Sequence, residues 1–241
     1  MIRQMAAGAA LLIVAASGPV LAQQQQGNAQ LASAVAAYEQ IQRRYDPLTA
    51  GGEGDRAALR RLPDASPEAA AALKRELTAL RTHLSQVPDH GLNDADAINR
   101  AFLLREINEG IEGIDFDTAR MPISNGDGYF TLMTGLAYQT PIQTADDAEA
   151  WIARLQAAPL WYSQNLANAR RGIASGWVQP QVVSERALAT ARAEVDSMTD
   201  TLLLPFAQMP STISAADQQG YRDRARAIIR DRILPAQRAT V

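Results

Sequence analysis

The two histidines, His83 and His90, are the first residues to consider as metal ligands or general bases. Pro88 lies between them, so one straight helix cannot present both imidazoles on the same face. The H-E-x-x-H pattern, in which two imidazoles one turn apart bind zinc, does not occur, and the chain has no cysteine. The residues therefore predict no metal site and no catalytic residue in this chain, with both histidines at the surface near a helix end.

A second candidate is the segment 125–128, Asn-Gly-Asp-Gly, whose composition is similar to that of a calcium-binding loop. When Gly128 is aligned with the invariant glycine of an EF-hand, Ile123 and Thr134 fall where the first and last carboxylate ligands are needed. An EF-hand is therefore excluded. Two interpretations stay open: a tight turn, because Asn, Asp and Gly tolerate positive φ, or an ordered loop whose backbone approaches a ligand.

Glu106, Glu109 and Glu112 are spaced by three and share one face of a predicted helix. Two such carboxyl groups can perform acid–base chemistry when one is buried and its pKa rises. The opposite face of the same helix carries an apolar stripe, so we interpret the acidic row as solvent-facing.

Arginine and tryptophan side chains could in principle form a nucleic-acid surface or a ligand groove. The arginines between residues 222 and 232 are interleaved with Asp223 and Asp231, a pattern that favours a salt-bridged, solvated face. The chain carries 23 basic and 26 acidic residues, a balance that argues against nucleic acid as a partner. Trp151, Trp161 and Trp177 are interpreted as core residues.

The elements that position these side chains are predicted to be helices. Apolar residues recur at spacings of three and four in the segments 31–41, 73–87, 104–114, 188–202 and 221–233. Ser66, Asn93, Thr144 and Ser214 are predicted N-caps. The sequence predicts an all-α fold, an irregular multi-helix array with one long ordered loop at about 115–140. Residues 49–55 are predicted to form a shorter loop, Pro159 to begin a helix and Pro235 to end the last one.

The N-terminus predicts export. Arg3 precedes an uncharged apolar run, residues 17–19 (Ser-Gly-Pro) break any helix, and Ala22 completes a small-residue cleavage site. The run is shorter than the about 20 residues that span a bilayer. We therefore expect a signal peptide at 1–22 that is cleaved after Ala22, a polar linker at 23–30 and a helical region at 31–241. The mature chain is expected in the periplasm or outside the cell, with no membrane attachment after cleavage.

The order of several segments resembles the N-terminal portion of the bacterial family called domain of unknown function 885 (DUF885). None of these segments is a catalytic signature, and the resemblance covers most of the mature chain. The matching segments are 62–68 (Leu-Pro-Asp-Ala-Ser-Pro-Glu), 99–116 (ending Glu-Gly-Ile-Asp-Phe), 121–128 (Met-Pro-Ile-Ser-Asn-Gly-Asp-Gly), 147–160, 171–180 (Arg-Gly-Ile-Ala-Ser-Gly-Trp-Val-Gln-Pro), 204–206 and 233–236.

The resemblance implies a helical, exported, zinc-dependent peptidase-like hydrolase. Family members carry an H-E-x-x-x-H-type zinc motif in a C-terminal half, to which no residue of this chain corresponds. This chain is then expected to hold no cofactor itself, although zinc is expected in full-length relatives. Its partners would be a peptide substrate and the missing C-terminal half. Asn125, Asp127 and Gly128 are the substrate-facing candidates that the resemblance transfers to this sequence.

Two functions remain open at this point. The first is a non-catalytic, cleft-shaping N-terminal part of an exported metallopeptidase-like hydrolase, inactive alone. The second is a self-sufficient exported helical binding or scaffold protein without enzymatic activity.

Overall fold

The computed structural model describes residues 18–88 and 92–241, and it describes side chains from residue 29 onward. The signal peptide prediction falls largely on residues 1–17, which lie outside that description, as does His90. The predicted cleavage after Ala22 stays a prediction.

The fold is all-α, as predicted, apart from one two-stranded hairpin. The helices are α1 (Gly18–Tyr45), α2 (Pro47–Gly52), α3 (Pro67–Ser85), α4 (Asp94–Asp115), α5 (Leu132–Tyr138), α6 (Ala145–Ala174), α7 (Gln181–Leu203), α8 (Ala215–Ile228) and α9 (Leu234–Arg238). The strands are β1 (Ile123–Ser124) and β2 (Asp127–Gly128), and a π-helical turn (Ile229–Ile233) joins α8 to α9. Short 3-10 turns occupy Ala58–Arg60, Thr118–Arg120, Tyr129–Thr131 and Leu204–Phe206. None of the helices in the described ranges is long and apolar enough to cross a membrane.

Side-chain caps fix where the longer helices begin. The hydroxyl of Ser66 accepts from the backbone N–H of Ala69, and Asn93 and Ser214 cap α4 and α8 in the same way. Thr144 and Asp147 form a reciprocal capping box at the start of α6. All four caps were predicted from the sequence, because a short polar side chain three residues before a backbone N–H satisfies a donor that the helix leaves free.

Two hydrophobic clusters hold the helices together. The N-terminal cluster joins α1, α3 and α4 through residues such as Leu31, Leu84 and Ile107. The C-terminal cluster joins α5 through α9 around Trp151 and Phe206, with the long helix α6 at its centre. Each apolar stripe predicted from periodicity therefore faces one of these two clusters.

The joint between the clusters is made by α6 and by the chain from 55 to 66. Arg154 donates from Nε to the carbonyl of Arg61 at 3.2 Å and from Nη2 to that of Ala58 at 3.4 Å. Asn168 Nδ2 donates to the carbonyl of Ala65 at 2.8 Å. Side chains of α6 thus bind the backbone of this segment along several turns of the helix.

The same helix also holds the turn that follows α4. Asp117 has a left-handed conformation (φ 51°) and accepts two hydrogen bonds from Arg171, at 2.7 and 3.0 Å. Gly172 lies against the backbone of this turn. A Cβ at Gly172 would stand 2.2 Å from the carbonyl oxygen of Arg120 and 2.9 Å from that of Trp177. Only a glycine fits this approach.

Several local predictions were wrong. Residues 23–30, predicted as a linker, continue helix α1, because glutamine and alanine are good helix formers. Residues 49–52 of the loop predicted at 49–55 belong to α2, because Asp46 caps the helix and Pro47 occupies its first position, where proline is favourable.

The proline predictions were also wrong at two places. Pro159 lies inside α6 instead of beginning a helix, and the flanking Leu155, Ala158 and Tyr162 are all buried. Their burial outweighs the cost of about 3 kcal/mol that an interior proline imposes. Pro235 likewise does not end the helix, which continues through the π turn into α9. The predicted loop at about 115–140 contains the hairpin and α5.

Candidate functional site

The predicted substrate-facing residues Asn125, Asp127 and Gly128 lie on the antiparallel hairpin of β1 and β2. Ile123 pairs with Gly128, and Ser124 pairs with Asp127. Gly126 at the tip has φ 77°, a left-handed conformation that glycine adopts without strain. The segment is therefore a tight turn, the first of the two interpretations of its composition.

Hydrogen bonds fix the hairpin on α7 and on the residues that precede it. Gln179 Nε2 donates to the carbonyl of Ile123 at 2.9 Å, and Arg186 Nη1 donates to Asn125 Oδ1 at 3.1 Å. Asn125 and Asp127 are both exposed. The hairpin thus presents polar side chains to solvent from a position that α7 holds in place.

Asp127 stabilises the turn that follows the hairpin. Its Oδ1 accepts from the backbone N–H of Gly128 at 2.7 Å and from the hydroxyl of Thr131. Among the residues that the structure describes, none donates to Oδ2. One carboxylate oxygen is therefore used locally and the other is open to a ligand.

Gly128 is needed for a steric reason. Its φ of 168° is ordinary extended backbone. A Cβ at this position would lie 2.7 Å from Phe130 Cε1 and 3.1 Å from Ile123 Cγ2. The glycine lets the ring of Phe130 pack directly beneath the hairpin.

A carboxyl group that the sequence analysis missed, Glu194 of α7, lies near the hairpin. Burial raises the pKa of Glu194, the Thr134 hydroxyl lowers it in part, and the charge of Asp127 raises it further. Its Oε2 is buried and has no hydrogen-bond partner among the described residues. The group therefore favours its neutral form more than an ordinary glutamate does.

The phenol of Tyr162 lies near this carboxyl group, and Tyr129 lies beside Tyr162. Tyr162 is 1% exposed, and its hydroxyl has no partner in the described part of the chain. Burial raises the pKa of Tyr162, and the charge of Glu194 raises it further. The ring of Tyr129 lies 6.4 Å from that of Tyr162, and its carbonyl accepts from the indole of Trp161 at 3.0 Å.

We call Asp127, Thr134, Tyr162 and Glu194 the hairpin cluster. It combines a carboxylate with one oxygen that no described residue donates to, a carboxyl group whose pKa is raised, and a buried hydroxyl without a partner among the described residues. Of these groups, the exposed carboxylate of Asp127 is open to a ligand in solvent, whereas the hydroxyl of Tyr162 and Oε2 of Glu194 are buried. It resembles no nucleophile–base pair, because the chain has no cysteine and His83, the histidine that the structure describes, does not belong to it.

The sequence did contain a signal for Glu194. The buried stripe of α7 runs through Ala187, Ala191, Met198 and Leu202. Glu194 falls three residues after Ala191 and four before Met198, so it interrupts the apolar stripe on the buried side. A charged residue at a core position of a helix is a candidate for function.

The remaining charged candidates are the glutamates of α4 and the arginines between residues 222 and 232, and their surroundings are those of ordinary structural residues. Glu109 pairs with Arg105 at 2.7 Å and Glu112 is exposed, in agreement with a solvent-facing row, while Glu106 is half-buried. Arg226 and Arg230 pair with Asp223 and Asp231, as predicted for a salt-bridged face.

The tryptophans differ from one another. Trp151 is buried and Trp161 is half-buried, as expected for core residues. Trp177 is 39% exposed, so the core prediction was wrong there. Its ring lies under the guanidinium of Arg120, 4.6 Å from the centroid, a cation–π contact that explains its position at the surface.

A metal site would need several donor side chains in one place. His83 is exposed in the last turn of α3. Within residues 18–88 and 92–241, no group of three or more His, Cys, Asp or Glu side chains is arranged to hold a metal ion. The described residues therefore do not fit a zinc site.

The pKa of Glu194 leads to a prediction about pH. Since the folded pKa is raised, the contribution of this group to stability is present at low pH and is lost as pH rises through the folded pKa. Glu194→Gln should therefore stabilise the protein at pH 7, by at most about 1 kcal/mol or roughly 2–4 °C in Tm, and should have little effect near pH 4.

Thermal unfolding followed by circular dichroism across this pH range measures the difference. The matched control is Glu185→Gln, an exposed position on the same helix whose carboxylate accepts from Gln181 at 2.6 Å. An equal gain at pH 4 and pH 7 for Glu194→Gln would contradict the raised pKa.

Comparison with known protein families shows which family the sequence matches. A family model described as "Bacterial protein of unknown function (DUF885)" matches residues 47–241. No curated protein and no solved structure matches the chain significantly.

Proposed function

The chain belongs to the DUF885 family of bacterial proteins of unknown function, and on this premise we propose that it is the non-catalytic, cleft-shaping N-terminal part of an exported metallopeptidase-like hydrolase that acts on peptides. The observation that carries the proposal is the family match across residues 47–241, which includes the hairpin and the helices that hold it. The activity is the one that the resemblance implies for complete members.

The hairpin supports the peptide-binding part of the proposal. Asn125 and Asp127 are exposed on a turn that is fixed to α7, and binding residues are often carried by loops that a rigid scaffold positions. Peptide backbones offer alternating N–H donors and carbonyl acceptors, which the open oxygen of Asp127 and the amide of Asn125 can bind.

Zinc would supply an activated water for hydrolysis in such an enzyme. The described residues of this chain do not fit a zinc site. We therefore assign them the role of shaping the cleft and binding the peptide, and we assign no chemical step to them.

The test uses the purified chain that begins at Gln23, the expected mature N-terminus. We expect no stoichiometric zinc in metal analysis, no cleavage of a mixed peptide library, and saturable peptide binding that perturbs the NMR signals of Asn125 and Asp127. Asp127→Asn should weaken peptide binding, whereas Asp196→Asn, an exposed position on the outer part of α7, should not.

The outcomes separate the parts of the proposal. One tightly bound zinc per chain, or hydrolysis by the chain alone, would contradict a non-catalytic role. N-terminal sequencing of exported material that did not begin at Gln23 would contradict the predicted cleavage.

A second function is favoured by the two clusters of buried apolar residues that the helices of this chain form. A fold that buries its own apolar stripes is suited to a self-sufficient exported binding or scaffold protein. The coding sequence after residue 241 distinguishes the two functions: a continuation with an H-E-x-x-x-H-type motif supports the hydrolase, and a stop codon supports the scaffold.

A further inference from the structure

A groove of roughly 590 Å³ lies between α2, the first turns of α6 and the chain that precedes α6. Its walls include the apolar side chains of Leu48, Leu59 and Leu136, and its floor includes Trp151 and Arg154. A concave site of about 300–1,000 Å³ with apolar walls and few polar groups is typical of small-molecule binding.

Arg154 is the unusual residue of this groove. It is only 4% exposed, yet no carboxylate of the described residues lies within salt-bridge distance of its guanidinium. Two of its five N–H groups are used, by the carbonyls of Ala58 and Arg61. Burial lowers the pKa of Arg154, which is the response of a cation that lacks a compensating charge.

The fold makes room for this guanidinium. A Cβ on the buried Gly51 would lie 3.2 Å from Arg154 Nη2 and 2.9 Å from Leu59 Cδ2. The glycine of α2 therefore permits both the cation and the apolar wall beside it.

Asp147, the acidic residue that lines the groove, already has hydrogen-bond and ion-pair partners. Asp147 Oδ2 accepts from the backbone N–H groups of Gln143 and Thr144, at 3.0 and 2.9 Å, and its Oδ1 lies 2.8 Å from Arg56. Partial burial raises the pKa of Asp147, but the hydrogen bonds of Thr144, Gln143 and Arg56 lower it below its ordinary value. This carboxylate is thus the helix cap and the partner of Arg56, and it leaves the charge of Arg154 uncompensated.

We propose that this groove binds a small organic carboxylate that carries an apolar group, with the carboxylate on Arg154 and the apolar part against Leu48, Leu136 and Trp151. The two bonds to backbone carbonyls account for a structural role of Arg154, but neutral carbonyls do not compensate a buried cation. An arginine–carboxylate pair supplies the missing charge and uses the remaining donors. The site is separate from the hairpin cluster and does not depend on its function.

The experiment compares two ligands on the purified chain at neutral pH. N-acetyl-L-leucine carries the carboxylate and the apolar group, and N-acetyl-L-leucinamide is its neutral match. We expect the acid to bind with a Kd of about 1 mM or tighter and the amide at least about tenfold more weakly, followed by the arginine Nε–H signals in NMR. Equal affinity for the two would overturn the proposal, as would no binding of the acid to the folded chain.

A variant and an inorganic anion complete the test. Arg154→Lys keeps the positive charge but loses the planar fork, so binding of the acid should fall about tenfold. Arg192→Lys, at an exposed position on α7, should leave it unchanged. Full affinity in Arg154→Lys, or sulfate binding as tightly as the acid, would contradict the assignment. The comparison of acid with amide stands on the unaltered chain if the variant does not fold.

Discussion

Gly172→Ala is expected to destabilise the protein by about 3 kcal/mol. The added methyl group would stand 2.2 Å from the carbonyl oxygen of Arg120 and 2.9 Å from that of Trp177. Both are backbone atoms, which cannot move aside as the end of a flexible side chain can. The turn 118–120 and the loop after α6 would have to shift, and the Arg171–Asp117 pair beside them would be disturbed.

Gly113→Ala is the matched control, because it is the same substitution inside another helix. A Cβ at Gly113 of α4 has no neighbour within 4 Å. Alanine is more favourable than glycine in a helix interior, so this variant should gain up to about 1 kcal/mol. Urea unfolding of both variants measures the contrast. The close approach at Gly172 would be refuted by a gain in stability in both variants.

Trp151→Ala is expected to cost about 3–5 kcal/mol, because it removes a large side chain from a packed interior. Trp151 is 1% exposed, and its indole N–H donates to the carbonyl of Leu202 at 3.1 Å. This single side chain therefore joins α6 to the end of α7 both by packing and by a buried hydrogen bond. The variant should show loss of cooperative unfolding or a large fall in Tm.

Trp177→Ala serves as the control for residue type. Its ring is 39% exposed and contacts Arg120 by a cation–π interaction, which contributes about 0.5–1 kcal/mol at an exposed site. A third variant, Trp151→Phe, keeps an aromatic ring but removes the N–H donor to the Leu202 carbonyl and part of the packed volume, so its loss should be smaller than that of Trp151→Ala. Comparable losses for Trp151→Ala and Trp177→Ala would contradict the central place of Trp151.

Much of the fold could be predicted, because its signals are local. Periodicity identified the buried stripes, and the caps at Ser66 and Thr144 identified where α3 and α6 begin. Pro159 shows where local rules fail. Proline favours a helix start, but the burial of Leu155 and Tyr162 on either side of it is a property of the whole fold and keeps the helix continuous.

The candidate sites were harder to predict because they depend on tertiary contacts. The residues 125–128 identified the turn, yet Glu194 enters the cluster from a helix nearly 70 residues later. Its position in the apolar stripe was the signal for it. Arg154 also interrupts an apolar stripe, three residues after Trp151 and four before Ala158. Its lack of an acidic partner was not predictable, since it follows from the pairing of Asp147 with Arg56, which the sequence does not display.

The joint between the two clusters has a consequence for how this protein can vary. Arg154 and Asn168 of α6 bind the carbonyls of Ala58, Arg61 and Ala65. Every amino acid supplies the same carbonyl, whereas only a few supply a donor of the required length and shape. Substitutions are therefore restricted mainly at Arg154 and Asn168, which supply the hydrogen-bond donors. Exposed positions of the acceptor segment are free to diverge between relatives while the two halves keep their arrangement.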